Sequence, residues 1–127
     1  MNTINVVSTK NAPAVVGPYS QALEVNGFIF CSGQIGIDPK TKNLVDGIEN
    51  QTRQTLNNIN EVVRASGSNL RHILKTTIYL SDMKNYNLVN KIYGEYFNSH
   101  KPARATVEVS RLPKDCLIEI EAIAVVK

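Results

Sequence analysis

The stretch CLIEIEAIAVVK, Cys116–Lys127, decides the fold. Read as a strand, it puts Ile118, Ile120, Ala122 and Ala124 on one face and Leu117, Glu119, Glu121, Ile123 and Val125 on the other. The first face is wholly apolar and needs a cover of helices. The second carries two carboxylates about 6.5–7 Å apart along the strand. That face is too greasy for water and too charged for a dry core, which marks an interface or a binding site. RATVEV, 104–109, splits in the same way, with Ala105, Val107 and Val109 against Arg104, Thr106 and Glu108. Leu112-Pro113-Lys114-Asp115 is a turn. The two strands are therefore expected to form one hairpin, with Arg104 and Glu119 on its polar face and the apolar faces under helices.

Working outward, INVV at 4–7 is a short strand, and Pro13, Gly17 and Pro18 make TKNAPAVVGPYSQA, 9–22, an ordered loop. Asn26-Gly27 between two alternating runs predicts a hairpin with strands at 21–25 and 28–33. Ile48, Thr52, Leu56, Ile59 and Val63 form one helical stripe over 48–66, and Gly67 ends that helix. ILKTTIYL, 73–80, is a β-branched strand. Residues 81–100 read as a second helix capped by Ser81 or Asp82, with Tyr86, Val89, Ile92, Tyr93 and Tyr96 as its buried stripe and Pro102 as its stop. The predicted class is α+β: a mixed sheet with two helices on one face, in one domain spanning 1–127. The other face is expected to pack against further copies of the chain, with a polar pocket at the seam.

Composition narrows the function. The 127 residues hold 43% hydrophobic and 20% charged side chains, the balance of a folded globular chain. The net charge of +3 is spread along the sequence rather than clustered, so nucleic-acid binding is not expected, whereas small anions suit it. Cys31 and Cys116 are far apart and read as buried free thiols. No apolar run has membrane-spanning length and no secretory leader is visible, so the expected setting is the cytoplasm, with no membrane partner.

The common catalytic kits do not fit. His72 and His100 stand apart from any metal-ligand spacing, so no metal site is expected. GQIG is no phosphate loop, and Ser32 sits in CSGQ rather than a nucleophile elbow. What remains is Arg104 with Glu119 and Glu121. A guanidinium grips a carboxylate through two parallel hydrogen bonds, and a nearby glutamate can hold a water. The same residues also read as an Arg–Glu salt bridge within the sheet or between subunits, and spacing does not separate the two readings.

GPYSQA (17–22), CSGQIGIDP (31–39), PARATVEV (102–109) and LPKDCLIEIEAIAV (112–125) occur in an order that resembles the Rid family, also called YjgF, whose name stands for reactive intermediate deaminase. The resemblance implies a chorismate-mutase-like fold and a homotrimer built around an inner barrel of sheets, with clefts between subunits. It implies hydrolysis of 2-imino acids, 2-iminobutanoate and 2-iminopropanoate, to 2-keto acids and ammonia without a cofactor. By the same resemblance Arg104 holds the substrate carboxylate and Glu119 positions the attacking water. Tyr19, Ser32, Gly33 and Asn90 line the cleft. Thr106 stands where many relatives carry Cys. The alternative function is a non-catalytic trimer that binds a small metabolite and regulates a partner protein or translation.

Overall fold

The computed structural model describes residues 2–127. Its strands are β1 (Asn5–Val7), β2 (Ala22–Val25), β3 (Phe28–Ile35), β4 (Ile73–Leu80), β5 (Ala103–Glu108) and β6 (Ile118–Val125); its helices are α1 (Ile48–Ala65) and α2 (Tyr86–Phe97). The strands form one mixed sheet in the order β1-β2-β3-β6-β4-β5. Both helices bury their apolar stripes on the same face, as the alternation of β6 requires. Ile118, Ile120, Ala122 and Ala124 meet Leu56, Ile59, Val62 and Val63 of α1 and Val89, Ile92, Tyr93 and Phe97 of α2 in one core. Each fully buried isoleucine there contributes about 1.5–3 kcal/mol of transfer free energy.

Local signals explain the element ends. Asn26 and Gly27 both take positive φ, 53° and 82°, which gives the two-residue turn that matches strand twist, and Val25 pairs with Phe28 across it. The second helix is shorter than the sequence predicts. The Asp82 carboxylate accepts from the Lys84 N–H and caps a 3-10 turn at Met83–Asn85, and the α-helix starts only at Tyr86. Phe97 is buried on it, whereas Tyr86 and Tyr96 pack at the core's margin.

The hairpin expected between the last two strands does not form. β4 lies between β5 and β6: it pairs antiparallel with β6 and parallel with β5. The chain leaves β4, crosses through α2 and returns as a parallel edge strand, the connection that parallel pairing demands. This register also reverses the predicted faces of β5. Arg104 pairs with Thr76 and Thr106 with Ile78, both buried on the helix face. Arg104 and Thr106 therefore point towards α2, and Val107 lies on the open face, 44% exposed. Leu23, Phe28, Phe30 and Val6 are also exposed there.

Candidate functional site

The predicted site residues fall into two clefts on opposite faces of the sheet. The first is a cavity of about 460 Å³ lined by Tyr19, Ser32, Gly33 and Glu119, with Val15 and Lys114 at its walls. The strand carrying Ser32 and Gly33 bulges there: Cys31 pairs with Ala122 and Gln34 with Ile120, so β3 has one residue more than β6 over this span. Bulges of this kind re-aim side chains beside functional sites. Glu119 is the side chain that uses this one. A Cβ on Gly33 would lie 2.1 Å from the Glu119 Oε2, so the carboxylate rests over bare glycine backbone.

Glu119 is half-buried, and its carboxyl is pushed above the usual range, first by burial and then by the negative charge of Glu121. Glu121 has the partner that the alternation demanded: the Tyr79 hydroxyl donates to its Oε2 at 3.1 Å from the neighbouring strand. The two acids thus differ. Glu121 is hydrogen-bonded within the sheet, and Glu119 faces the cleft. Ser32 spends its hydroxyl on the Ser20 carbonyl at 2.6 Å, which ties the Tyr19 loop to β3. Tyr19 itself is 49% exposed over the cleft.

The second cleft, about 300 Å³, lies at the sheet edge beside α2 and is lined by Asn90, Tyr93, Phe97, His100, Lys101 and Arg104. The Arg104 guanidinium carbon stands 5.0 Å from the Tyr93 ring centre and 5.7 Å from that of Tyr86. Its Nη2 donates to the Tyr86 hydroxyl at 3.2 Å. It forms no ion pair with a carboxylate among the described residues, so the Arg–Glu salt bridge within the sheet is not present in the chain. Asn90 Oδ1 and Thr106 Oγ1 are both buried without a hydrogen-bond partner. Such groups cost free energy unless something satisfies them. The expectation that Arg104 and Glu119 share a face is therefore corrected, because β4 separates their strands and the parallel register turns Arg104 to the helix side.

Sequence reasoning missed the residues that brace these clefts. Gln21, 4% exposed, accepts from the Thr9 N–H and donates to the Thr9 and Pro13 carbonyls, which fixes the loop leading to Tyr19. Gln51 accepts from the Leu117 N–H at 2.8 Å, just before Glu119. Asn58 donates to the carbonyls of Ile35 and Ile37. The signal was available for α1: Gln51, Thr55, Asn58 and Val62 recur at helical spacing beside the apolar stripe. His72 and His100 are engaged with Asn69 and the Ile73 carbonyl, and among the described residues no group of three or more metal-ligating side chains converges. The thiols are free and buried, and burial lifts Cys31 to about 12 and Cys116 to about 11. No helix of the described residues is long and apolar enough to cross a membrane.

These features define a class: a small α+β protein with two helices on one face of a mixed sheet, and with an acid in one cleft and a guanidinium in another that have no counter-ion among the described residues. The family model described as Endoribonuclease L-PSP matches residues 9–126, and the chain belongs to that family. A RutC family protein of Pyrococcus horikoshii is 55% identical over 94% of this chain and 95% of its own. The human protein named 2-iminobutanoate/2-iminopropanoate deaminase is 46% identical over 94% of this chain and 88% of its own. A crystal structure from Yersinia pestis, described as a protein of unknown function of the conserved Rid family, superposes with a TM-score of 0.96 at 51% identity, covering 98% of this chain and all of that one. The resemblance read from the four motifs is thus a family relationship.

Proposed function

We propose that the protein hydrolyses 2-imino acids such as 2-iminobutanoate and 2-iminopropanoate to 2-keto acids and ammonia, in clefts completed by neighbouring copies of the chain. One observation carries this reading: the acid and the guanidinium lie on opposite faces of one sheet, and neither has an oppositely charged partner among the described residues. A homotrimer with its open faces inward would set the Glu119 cleft of one copy against the Arg104 edge of the next. It would also cover Leu23, Phe28, Phe30 and Val107, an apolar set that favours burial. The human relative's name supports the substrate class.

The chemistry asks little machinery. A 2-imino acid is already electrophilic at C2. Arg104 fixes its carboxylate through paired N–H donors, and Tyr19 and the Ser32–Gly33 backbone close the other side. Glu119, half-buried and less acidic than an ordinary carboxyl, orients a water and takes its proton as the C2–O bond forms. The C=N electron pair moves to nitrogen, which takes that proton; Glu119 then passes the carbinolamine hydroxyl proton to the same nitrogen as C2=O forms and the C2–N bond breaks, releasing ammonia. Asn90 Oδ1 and Thr106 Oγ1, both buried without a partner, offer polar atoms on the Arg104 side for the substrate to satisfy. Residues 9–126 match a model described as an endoribonuclease, but both histidines are engaged elsewhere, which favours the imine reading.

The test is to generate 2-iminobutanoate in situ, trap what survives with semicarbazide, and compare variants. Arg104→Ala is expected to lose about 10- to 150-fold in kcat/KM, since a charged hydrogen-bond partner lost from the clamp costs about 1.5–3 kcal/mol. Arg104→Lys, which keeps the charge and loses the fork, should recover little. Full activity in Arg104→Ala overturns the assignment.

A further inference from the structure

We propose that Tyr86 and Tyr93 are positioning residues that hold Arg104 as a preformed clamp, its guanidinium set over aromatic rings and most of its N–H donors left for a carboxylate. The inference rests on the reading of Arg104 as the carboxylate-binding group. Both tyrosines look like core residues in the sequence, but their hydroxyls are not used as core hydroxyls are. Tyr93 is buried, and its hydroxyl meets that of Thr76 at 2.6 Å. Thr76 is the residue that pairs with Arg104 across the parallel ladder. The strand register therefore fixes Thr76 beside Arg104, Thr76 fixes the rotation of Tyr93, and the Tyr93 ring receives the guanidinium 5.0 Å from its centre. Phe97 packs against that ring, 4.6 Å between centroids and tilted by 43°.

Tyr86 works differently. It is half-buried at the first turn of α2, and its hydroxyl takes one of the guanidinium's five N–H donors. The Asn90 amide, one helical turn on, and the Arg104 charge together hold its phenol below the ordinary tyrosine value, as donors and a cation gathered about that oxygen must. A cation over a ring face is attracted by the ring's quadrupole, and the planar guanidinium stacks there without spending any N–H. Four donors then remain along its edge. An arginine free in solvent loses much rotamer freedom when it grips a ligand; one already stacked loses less, which raises affinity without a new contact.

The experiment uses the whole 127-residue chain and 2-oxobutanoate, the product of the proposed reaction, as the binding probe. Tyr86→Leu and Tyr93→Leu are expected to weaken its binding about tenfold, with KM raised and kcat nearly unchanged. Tyr86→Phe keeps the ring and drops the acceptor, and should cost about threefold. The direct readout is the Arg104 Nε–Hε NMR resonance, assigned by its loss in Arg104→Ala. Ring currents shift it upfield in the wild type, and it returns towards the free-arginine position in the two leucine variants. Tyr86→Leu keeps the test alive if Tyr93→Leu fails to fold, because Tyr86 lies at the core's margin. A folded Tyr86→Leu with wild-type affinity and an unmoved Hε resonance overturns the clamp. A wild-type protein that neither hydrolyses the imine nor binds 2-oxobutanoate would instead sink the deaminase reading, and the Hε shift would still decide the cradle.

Discussion

Glu119 and Arg104 lie two strands apart in the same sheet, and the chain holds them by opposite means. Glu119 sits over a glycine at a bulge, with burial and a like charge both opposing its ionisation. Arg104 sits between two aromatic rings at an edge strand, with a hydroxyl taking one of its donors. The acid is destabilised in its charged form and the cation is cushioned in its own. Each arrangement is costly or wasted in an isolated chain and useful when the two meet. On the proposed reading the chain carries two half-sites, and assembly is what would bring them together.

The largest test of that view mixes two dead proteins. Arg104→Ala and Glu119→Gln are each expected to be nearly inactive alone. If every cleft takes its glutamate from one copy and its arginine from the next, co-refolded random trimers at equal ratio regain about a quarter of wild-type activity, because one cleft in four pairs two intact residues. If both residues served the same cleft from one chain, mixing would restore nothing. Light scattering on the same samples reports whether trimers form.

Gly33→Ala breaks only the acid half. The new methyl would overlap the Glu119 carboxylate, which sits at the far end of a flexible side chain and can swing away. Activity should fall about tenfold to 100-fold through kcat, as an acid displaced by about 1 Å loses its hold on the water. Thermal stability should change little, and 2-oxobutanoate should still bind, since the Arg104 half is untouched. A large fall in affinity with kcat preserved would contradict this division of labour.

The two halves were not equally legible in the sequence. Alternation in 116–127 gave the helix-covered face of β6, the carboxylates on the other side and the two-layer architecture, because a central strand's period is imposed by its two environments. The edge strand β5 offered no such pressure. Ala105 and Val107 look like core residues, yet the register with β4 turns them outward and sends Arg104 and Thr106 to the helices. Short sequence separation suggested a hairpin, and a parallel crossover through α2 replaced it; sequence separation does not report which strand inserts between two others. The clamp around Arg104 was hidden for the same reason: Tyr86 and Tyr93 fit a helical apolar stripe, and only the register shows that their rings face a cation.

The smallest expected effect concerns Glu121, and it separates the two causes that make Glu119 a weak acid. The water-holding role requires Glu119 ionised, so activity falls as pH drops through its raised pKa. Burial is the larger cause of that rise and Glu121's charge the smaller. Glu121→Gln removes the charge and can keep the hydrogen bond from Tyr79, whose hydroxyl then donates to the amide oxygen. The acid limb of the kcat/KM profile should therefore move to lower pH, while staying above that of an exposed glutamate because burial persists. The plateau at neutral pH should be nearly unchanged. A limb that does not move would mean that Glu119 does not feel Glu121 in the assembled protein.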